Sequence, residues 1–242
     1  MAFGTPHRHF RRTDSTNTRA RELAAAGAPH GTVVTADEQS EGRGRQGRTW
    51  TAPPGKALLY SAIVRPLDER HVLLPLAVPL AVCEAAEELA PGTPCRVKWP
   101  NDVWVEERKL AGVLIEARPQ DGWGVIGIGL NLMIAPEEFP ADLRGAATSL
   151  FSSLAVAPSG LPPTTRTAAE VLSRRLAEWI EADPRSILFS WRKRDALRGR
   201  EVSWDGGSGV ADGVDDRGYL VVVVPGGERV AIGAGEVHLS LD

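Results

Sequence analysis

The sequence predicts an α+β protein with a small antiparallel β-barrel at its C-terminal end, and three observations carry this prediction. Segments with helical periodicity and segments rich in β-branched residues both occur over residues 1–198. From residue 199 onward the chain holds only short β-rich runs separated by glycines, which is typical of a small barrel. A length of 242 residues fits one large domain with a small appendage. We therefore expect domains at 1–198 and 199–242.

Helices are expected where a capping residue precedes an amphipathic or apolar segment. The segments that qualify are Ser15–Ala26, Val72–Leu89, Thr164–Ala182 and Pro184–Leu197. The first has Ser15 as a good N-cap residue and Gly27 as its stop. In the second, Pro75 and Pro79 are expected to restrict regular helix to the C-terminal half, because an internal proline removes a backbone hydrogen bond. A loop rich in proline, serine and glycine, 154–163, is expected before the third.

Strands are expected in short β-branched runs bounded by proline, glycine or Asn-Asp turns. In the first part of the chain these runs are Thr32–Ala36, Ala57–Val64, Arg96–Trp99, Val103–Val105, Leu110–Ala117 and Val125–Ile134. Glu106–Arg108 is expected to form a hairpin turn, and Asp121 and Gly122 a second turn. The runs after the expected boundary are Glu201–Trp204, Gly209–Val214, Tyr219–Val224, Arg229–Ile232 and Glu236–Leu241.

Composition excludes several classes of protein. The net charge of −3 argues against a general nucleic-acid-binding protein, which is usually basic. The segment Met1–Arg12 is polar and basic and has no apolar core of a signal peptide. The longest apolar run, Val72–Cys83, is shorter than the roughly 18 residues that suggest a membrane span. Cys83 and Cys95 form no CxxC pair, so neither a disulfide framework nor a metal site is expected. The expected location is therefore the cytoplasm.

The most informative motif is the segment Glu41–Trp50, in which glycines alternate with arginines before a tryptophan. Glycine permits positive φ and close approach of the backbone to a ligand. Arginine binds phosphate or carboxylate with paired, charge-assisted hydrogen bonds. Ordering so many glycines and like charges is unfavourable unless an anion lies between them. The segment is therefore expected to bind a polyphosphate or an acyl phosphate, with a flexible basic linker as the alternative.

A second motif runs from Lys98 through Trp99, Pro100 and Asn101 to Asp102. A lysine beside a phosphate and an aspartate on Mg²⁺ are recurrent features of nucleotide sites. The residues alone leave open the alternative of a hairpin in which the asparagine and aspartate only cap a turn.

Two β segments that contain glycine supply further candidates. Lys109 stands at the start of the predicted strand Leu110–Ala117, in which Gly112 is a small residue that lets a ligand lie against the sheet. Gly127, Gly129 and Asn131 lie in the next predicted strand, where glycines indicate close approach of a ligand or another backbone. An exposed surface lysine and a simple β-bulge are the respective alternatives. The GxGxxG spacing of residues 122–127 is rejected as a dinucleotide motif because a strand, not a helix, follows it.

The order of these motifs is more informative than any one of them. Ser15-Thr16-Asn17, which is only a capping signal on its own, precedes Gln39 and the glycine–arginine segment. The Lys98–Asp102 motif, Lys-Leu-Ala-Gly-x-Leu-x-Glu and Gly-x-Gly-x-Asn then follow. In this order they closely resemble the biotin–protein ligase family, from about residue 10 to the end of the chain. The resemblance implies a mixed β-sheet backed by helices, a biotin–lipoyl ligase fold like that of class II synthetases, and a C-terminal SH3-like barrel.

The resemblance also implies an activity. The family forms biotinyl-5′-AMP and pyrophosphate from biotin and ATP with Mg²⁺, and then transfers biotin to one lysine of a biotin carboxyl carrier domain of an acyl-CoA carboxylase. A homodimer is left open, and neither nucleic acid nor a membrane is expected as a partner. Because only Met1–Arg12 precede the part that resembles the ligase core, an N-terminal DNA-binding repressor domain is not expected.

Site residues are implied by the resemblance, position by position. For biotin they are Ser15, Thr16, Asn17, Gln39, Gly42, Arg43, Lys109 and Gly112. For ATP they are Arg43, Arg45, Arg48, Trp50, Lys98, Asn101 and Asn131. Asp102 is the expected ligand of Mg²⁺. The expected catalytic residues are Arg43, Lys98 and Lys109.

Three other functions are kept as alternatives. A lipoyl- or octanoyl-protein ligase would share the fold, although its loop and lysine patterns differ. A non-enzymatic biotin or nucleotide sensor would bind biotin and release no pyrophosphate. A nucleic-acid-binding module that uses the arginine-rich segment would bind with a strong salt dependence, and the acidic balance of the chain argues against it.

Overall fold

A seven-stranded mixed sheet organises the larger part of the molecule in the computed structural model, which describes residues 2–151, 163–233, 235 and 237–239. Its strands are β1 (His7–Thr13), β2 (Val33–Gln39), β3 (Ala57–Val64), β4 (Arg96–Lys98), β5 (Asp102–Val105), β6 (Arg108–Arg118) and β7 (Trp123–Asn131). Their spatial order is β1-β2-β3-β7-β6-β5-β4. Only β1 and β2 pair in parallel, and every other neighbouring pair is antiparallel. The α+β class with a mixed sheet is confirmed.

Strand β1 is absent from the strands expected from the sequence. Its residues are mostly histidine and arginine and mostly exposed, so the chain has no apolar alternation there. The strand exists because its backbone pairs with β2, from His7 opposite Val33 to Thr13 opposite Gln39. The pairing brings the end of β1 beside the loop after β2, where the Ser40 amide donates to the Thr13 carbonyl at 2.9 Å.

The helices of the described residues are α1 (Thr16–Ala25), α2 (Leu74–Leu89), α3 (Thr165–Ile180) and α4 (Pro184–Arg194). Helix α1 begins after Ser15, whose backbone is extended, and ends just before Gly27, which has φ of 88°. The 154–163 loop lies outside the described residues except for Pro163. None of the helices described is both long and apolar enough to cross a bilayer.

Helix α2 is regular over its whole length, so the expectation that its prolines confine it to the C-terminal half is wrong. Pro75 lies in the first turn, where a missing N–H has no intrahelical partner in any case. Pro79 lies inside the helix and removes one backbone bond. Its neighbours Val78 and Leu80 are fully buried, and this apolar burial outweighs the lost bond.

Side chains of the central strands point alternately to the two faces of the sheet, and the two faces pack against different helices. On one face, Tyr60 of β3 and Ile128 of β7 belong to the large apolar cluster that includes α2 and α3. On the other face, Ile63 and Val125 pack against α1 in a smaller cluster. Helix α1 covers only part of this second face, which leaves the neighbouring part of β6 and β7 for a cavity.

The C-terminal strands are β8 (Glu201–Trp204), β9 (Gly207–Val214), β10 (Leu220–Val223), β11 (Arg229–Ile232) and β12 (His238–Leu239). They form an antiparallel sheet in the order β11-β10-β9-β8-β12. The predicted antiparallel C-terminal strands are confirmed, but over the described residues they do not close into a barrel, because β11 and β12 are opposite edges and do not pair. In the part of the chain that the structure describes, β12 has two residues and pairs with β8. Parts of the predicted strand Glu236–Leu241 lie outside the described residues.

The C-terminal sheet is packed onto the main core. Its inward residues, such as Val202 and Val222, share one apolar cluster with α2. The Trp99 indole Nε1 donates to the carbonyl of Gly218 at 3.1 Å. Gly218 has φ of 81°, and a Cβ there would lie 3.3 Å from the Leu76 side chain. The turn between β9 and β10 therefore needs glycine to fit against α2.

The junction between α4 and β8 contains a buried carboxylate that gives a stability prediction. Asp195 is 2% exposed, and its Oδ1 accepts a hydrogen bond from the Leu197 amide at 2.8 Å. Burial raises the pKa of Asp195, and the amides of Leu197 and Arg198 only partly oppose this. The folded state therefore binds a proton more tightly than the unfolded state, where the pKa is about 3.9. This contribution to stability is complete below that pH and is lost as the pH rises through the folded-state pKa.

Asp195→Asn is expected to increase the free energy of unfolding by about 1 kcal/mol at pH 7.5, because it removes the charge and keeps an acceptor for Leu197. The advantage should shrink toward pH 4. Urea titrations of both proteins at the two pH values measure this. An advantage that is larger at pH 4 than at pH 7.5 would contradict the prediction.

Candidate active site

A cavity of about 430 Å³ lies on the α1 face of the main sheet. Most of the residues assigned from the sequence line it: Ser15, Thr16, Asn17, Gln39, Arg43, Arg45, Arg48, Trp50, Asn101, Lys109, Gly112 and Asn131. Gly42, Lys98 and Asp102 are not among its lining residues. The structure thus gathers residues from positions 15 to 131 of the chain into one site, and their individual roles stay predictions.

Glycines of β7 form the floor of the cavity. A Cβ at Gly129 would lie 2.2 Å from Cε2 of Trp50, and a Cβ at Gly127 would lie 2.1 Å from Oδ1 of Asn17. The pairing of β6 with β7 is continuous past both positions, so the alternative of a simple bulge does not apply. Glycine is required here because two side chains of the site lie directly on the strand.

Trp50 supplies an aromatic wall. Its ring lies over Gly129 and near Gly112, where a Cβ would be 3.1 Å from Cζ3. The Lys109 ammonium lies 5.8 Å from the ring centroid. The indole Nε1 is buried and has no hydrogen-bond partner among the described residues. This end of the cavity therefore combines a flat apolar surface, a cation and an unused donor.

A hydrogen-bonded network forms the opposite end. Gln39 Oε1 accepts from both the amide and the hydroxyl of Thr16, at 2.7 and 2.9 Å. The buried Ser61 Oγ lies 2.8 Å from Thr16 Oγ1 and 2.6 Å from Asn17 Oδ1. Because these contacts fix the Gln39 oxygen on Thr16, they turn its Nε2 toward Gly42, where a Cβ would lie 2.9 Å away. Ser61 was not assigned from the sequence, and its only signal is a serine inside a fully buried apolar strand.

Residues 42–50, called the flap below, form a small hairpin beside the cavity. The Trp50 amide donates to the Gly42 carbonyl at 3.0 Å, and the Gly44 amide donates to the Arg48 carbonyl at 2.7 Å. The chain reverses at a left-handed Gln46 with φ of 52°. A Cβ at Gly42 would lie 2.1 Å from the Trp50 carbonyl oxygen, so the first residue must be glycine. This hydrogen-bonded hairpin supports the interpretation of the segment as a ligand-binding loop and argues against a flexible linker.

Lys109 is held more firmly than a surface lysine. Its Nζ lies 2.7 Å from Asp102 Oδ1, although this approach is not aligned as a hydrogen bond, so the contact is an ion pair. Its amide donates to the Ala146 carbonyl at 2.8 Å, and its carbonyl accepts from the Thr148 amide at 2.9 Å. The side chain is 27% exposed and lines the cavity. A fixed cation in a partly closed site is suited to stabilising an anionic ligand.

The other predicted nucleotide residues are placed differently. Asn101 Nδ2 donates to the Val113 carbonyl at 3.0 Å, and Asn131 Nδ2 donates to the Thr148 carbonyl at 3.0 Å. Each amide nitrogen therefore holds neighbouring backbone with one N–H, and its second N–H and the side-chain oxygen remain for a ligand. Lys98 Nζ lies 5.0 Å from the Trp104 ring centroid, away from the lining of the cavity.

The described residues do not build a resident metal centre. No cluster of three or more histidine, cysteine or acidic side chains occurs among them. Asp102, the predicted ligand of Mg²⁺, is paired with Lys109. A single paired carboxylate fits a metal ion that arrives on a polyphosphate better than a permanently bound one.

Glu116 was assigned no role from the sequence, although it closes the Lys-Leu-Ala-Gly-x-Leu-x-Glu motif. It accepts hydrogen bonds from Asn17 Nδ2 at 2.8 Å and from Arg21 Nη1 at 3.0 Å. Arg43 of the flap lies 3.4 Å from the same carboxylate. A lone glutamate at a strand end resembles an ordinary surface residue, so only the folded arrangement reveals these contacts.

Comparison with known proteins decides the family. A family model described as the Biotin/lipoate A/B protein ligase family matches residues 9–131, and a model described as the Biotin protein ligase C terminal domain matches residues 199–240. The chain belongs to the biotin protein ligase family. The first match begins within β1 and ends at Asn131, and it includes most of the residues that line the cavity. The family resemblance seen in the sequence is thereby confirmed.

Individual relatives agree with this membership. The biotin–[acetyl-CoA-carboxylase] ligase of Mycobacterium tuberculosis is 38% identical over 94% of this chain and 86% of its own length. The ligase of the same description from Paracoccus denitrificans is 33% identical over 95% of this chain and 98% of its own length. The biotin protein ligase of Aquifex aeolicus, solved with biotin and ATP, has a TM-score of 0.82 and 28% identity, with 98% of this chain and all of that chain covered.

Proposed function

We propose that this member of the family is an ATP-dependent biotin–protein ligase that forms biotinyl-5′-AMP and then passes biotin to a lysine of a carrier domain. One observation carries the proposal. A single cavity joins a network of side-chain amides and hydroxyls to an aromatic wall with a fixed cation, and the arginine-bearing flap lies along both. The two ends lie over Gly127 and Gly129, about 7 Å apart along the strand. This separation suits a ring system joined by a short chain to a carboxylate.

The first step converts an unreactive carboxylate into a mixed anhydride. A carboxylate oxygen of biotin attacks the α-phosphorus of ATP, the bond between the α-phosphorus and the bridging oxygen breaks, and pyrophosphate leaves. Negative charge grows on the α-phosphate and on the leaving group. Preorganised cations stabilise such charge best in a site that excludes water. Lys109, Arg45 and Arg48 line the cavity and are proposed to serve this purpose.

The second step consumes the anhydride. The amine of the carrier lysine attacks the biotinyl carbonyl, the bond to the phosphate oxygen breaks, and AMP leaves. An ordinary lysine has a pKa near 10.4, so removing its proton at pH 7 costs about 4.6 kcal/mol. The cations that line the cavity would favour the neutral amine of an incoming lysine.

Three further features are part of the proposal. Mg²⁺ is proposed to arrive as the complex with ATP, since Asp102 is paired with Lys109. The acceptor is proposed to be a biotin carboxyl carrier domain, in line with the description of the Mycobacterium tuberculosis relative. The proposed location is the cytoplasm, where ATP and the carboxylases are found. The homodimer stays a prediction that analytical ultracentrifugation would check.

A coupled assay tests the function. The protein is incubated with biotin, Mg-ATP and a purified carrier domain, and pyrophosphate release and the mass of the carrier are followed. We expect biotin-dependent pyrophosphate and one biotinyl group on a single carrier lysine. Octanoate and lipoate in place of biotin test the lipoyl-ligase alternative, against which the match to the biotin protein ligase C-terminal domain argues. Binding of biotin without pyrophosphate release would instead identify a sensor.

A further inference from the structure

Glu116 lies where three elements meet. Its side chain faces the α1 side of the sheet, because its cross-strand partner on β7 is Val125, which packs against α1. Its side chain is 21% exposed. Two of its hydrogen-bond donors, Asn17 and Arg21, come from α1, and the third, Arg43, comes from the flap. The carboxylate therefore joins the sheet, the helix and the flap at one point.

The contact with Asn17 fixes the orientation of that side-chain amide. Its Nδ2 donates to Glu116 Oε2 at 2.8 Å, and its Oδ1 lies 2.6 Å from the Ser61 hydroxyl. Because an amide has distinct donor and acceptor ends, these two partners permit only one of the two flipped orientations. Asn17 also lies directly against Gly127. It thus forms a rigid part of the cavity wall whose polar atoms are already satisfied.

The contact with Arg43 concerns the flap. Both Arg21 Nη1 and Arg43 Nη1 approach Glu116 Oε1, at 3.0 and 3.4 Å. One carboxylate faces two guanidinium groups, so the cluster retains a net positive charge. Arg43 is therefore oriented toward the cavity without being fully neutralised, and it keeps an attraction for an anionic ligand. Its neighbour Gly42 is the first residue of the hairpin, so Arg43 is well placed to fix where the flap begins.

We propose that Glu116 is a positioning residue that holds the flap through Arg43, and that this hold slows the escape of the acyl-adenylate from the cavity. The proposal rests on the proposed function, since it concerns the retention of that intermediate. Glu116 itself takes no part in bond making or bond breaking. Its effect should therefore fall on ligand retention and not on the adenylation rate at saturating substrate.

The test measures how fast biotinyl-AMP leaves the protein. The protein is loaded with biotin and Mg-ATP in the presence of pyrophosphatase, diluted, and filtered rapidly to separate retained from released adenylate. Glu116→Gln keeps an acceptor for Asn17 but removes the charge that attracts Arg43. We expect escape about two- to fivefold faster, the range of exposed charge pairs, and an equal rise in KM for biotin with little change in kcat for adenylation.

Two comparisons separate positioning of the flap from general support of the fold. Arg43→Gln should accelerate escape by at least the same factor, because it also removes a cation from the cavity. The double variant should be no faster than Arg43→Gln alone, because Glu116 acts through Arg43. Arg21→Gln leaves Arg43 as the remaining guanidinium on Glu116 Oε1, so it should not accelerate escape. Glu22→Gln, an exposed glutamate on α1 that pairs with Arg19, is the matched control.

The outcomes are distinct. If the wild-type protein forms no biotinyl-AMP, the proposed function fails. If the wild type forms it and Glu116→Gln retains it equally long or longer, the inference alone is overturned. Multiplicative effects in the double variant would also overturn it, as would an Arg21→Gln variant that leaks as fast as Arg43→Gln. Thermal unfolding of each variant checks that the fold is kept, and Arg43→Gln, which changes an exposed flap residue, supplies the same readout should Glu116→Gln not fold.

Discussion

Replacing Lys109 with methionine is expected to slow biotinyl-AMP formation by about 10²- to 10³-fold, the usual loss when one preorganised donor to a developing anion is removed. The Lys109 ammonium is held by the Asp102 carboxylate. Its backbone is held by hydrogen bonds from its amide to Ala146 and from the Thr148 amide to its carbonyl. It therefore reaches the cavity without reorganisation. Methionine preserves much of the apolar stem that lies near Trp50 and removes only the charge.

The measurement is biotin-dependent pyrophosphate release in a single turnover, with ATP varied. Lys56→Met is the matched control, because Lys56 pairs with Glu138 and does not line the cavity. The control should retain the wild-type rate. Unchanged pyrophosphate release by Lys109→Met would remove this lysine from the mechanism.

Gly129→Ala is also expected to be damaging, although it adds only a single methyl group and removes no charge. The new Cβ would lie 2.2 Å from the Trp50 ring, so the indole must leave the sheet. Trp50 is the last residue of the flap and its ring packs on the floor, and overpacking of this kind typically costs about 1–3 kcal/mol of stability. Since the displaced ring also enters the cavity, we expect adenylate formation to fall by at least about tenfold.

The same strand offers a control for the glycine change itself. A Cβ at Gly124 would meet its nearest neighbour, Leu67 Cδ2, at an ordinary 3.4 Å, so Gly124→Ala should leave both stability and activity close to wild type. Adding Trp50→Ala to Gly129→Ala should restore much of the stability without restoring activity. A Gly129→Ala protein that is as stable and active as Gly124→Ala would show that the indole does not occupy the floor.

The sequence predicts the residues of the cavity better than it predicts their contacts. The glycine–arginine segment, Lys109 and Asn131 could be assigned because their types and order are distinctive, and the structure brings them together. Glu116 and Ser61 could not, because a glutamate near a strand end and a serine in an apolar strand have many ordinary explanations. Their importance comes from pairings across large separations in the chain, which local pattern does not contain.

The elements of the fold also differ in whether local sequence pattern predicts them. Strands with apolar residues, such as Ala57–Val64, are found where their composition places them. Strand β1 could not be found this way, because its pairing with β2 and not its own residues makes it a strand. The full length of α2 was also beyond local rules, since the tolerance of Pro79 depends on the burial of its neighbours. The closure of a barrel is a property of strand edges, and short glycine-separated runs do not specify it.

The bond from Trp99 to the Gly218 carbonyl makes the small C-terminal sheet a structural support for the motif that begins at Lys98. Trp99 precedes Pro100 and Asn101, and the latter contributes to the cavity wall. A chain cut at residue 198 would leave this indole without its acceptor and would open the apolar side of α2 to solvent. Exchange of C-terminal segments between relatives is therefore expected to succeed only where the donor segment carries a glycine turn that can meet this tryptophan.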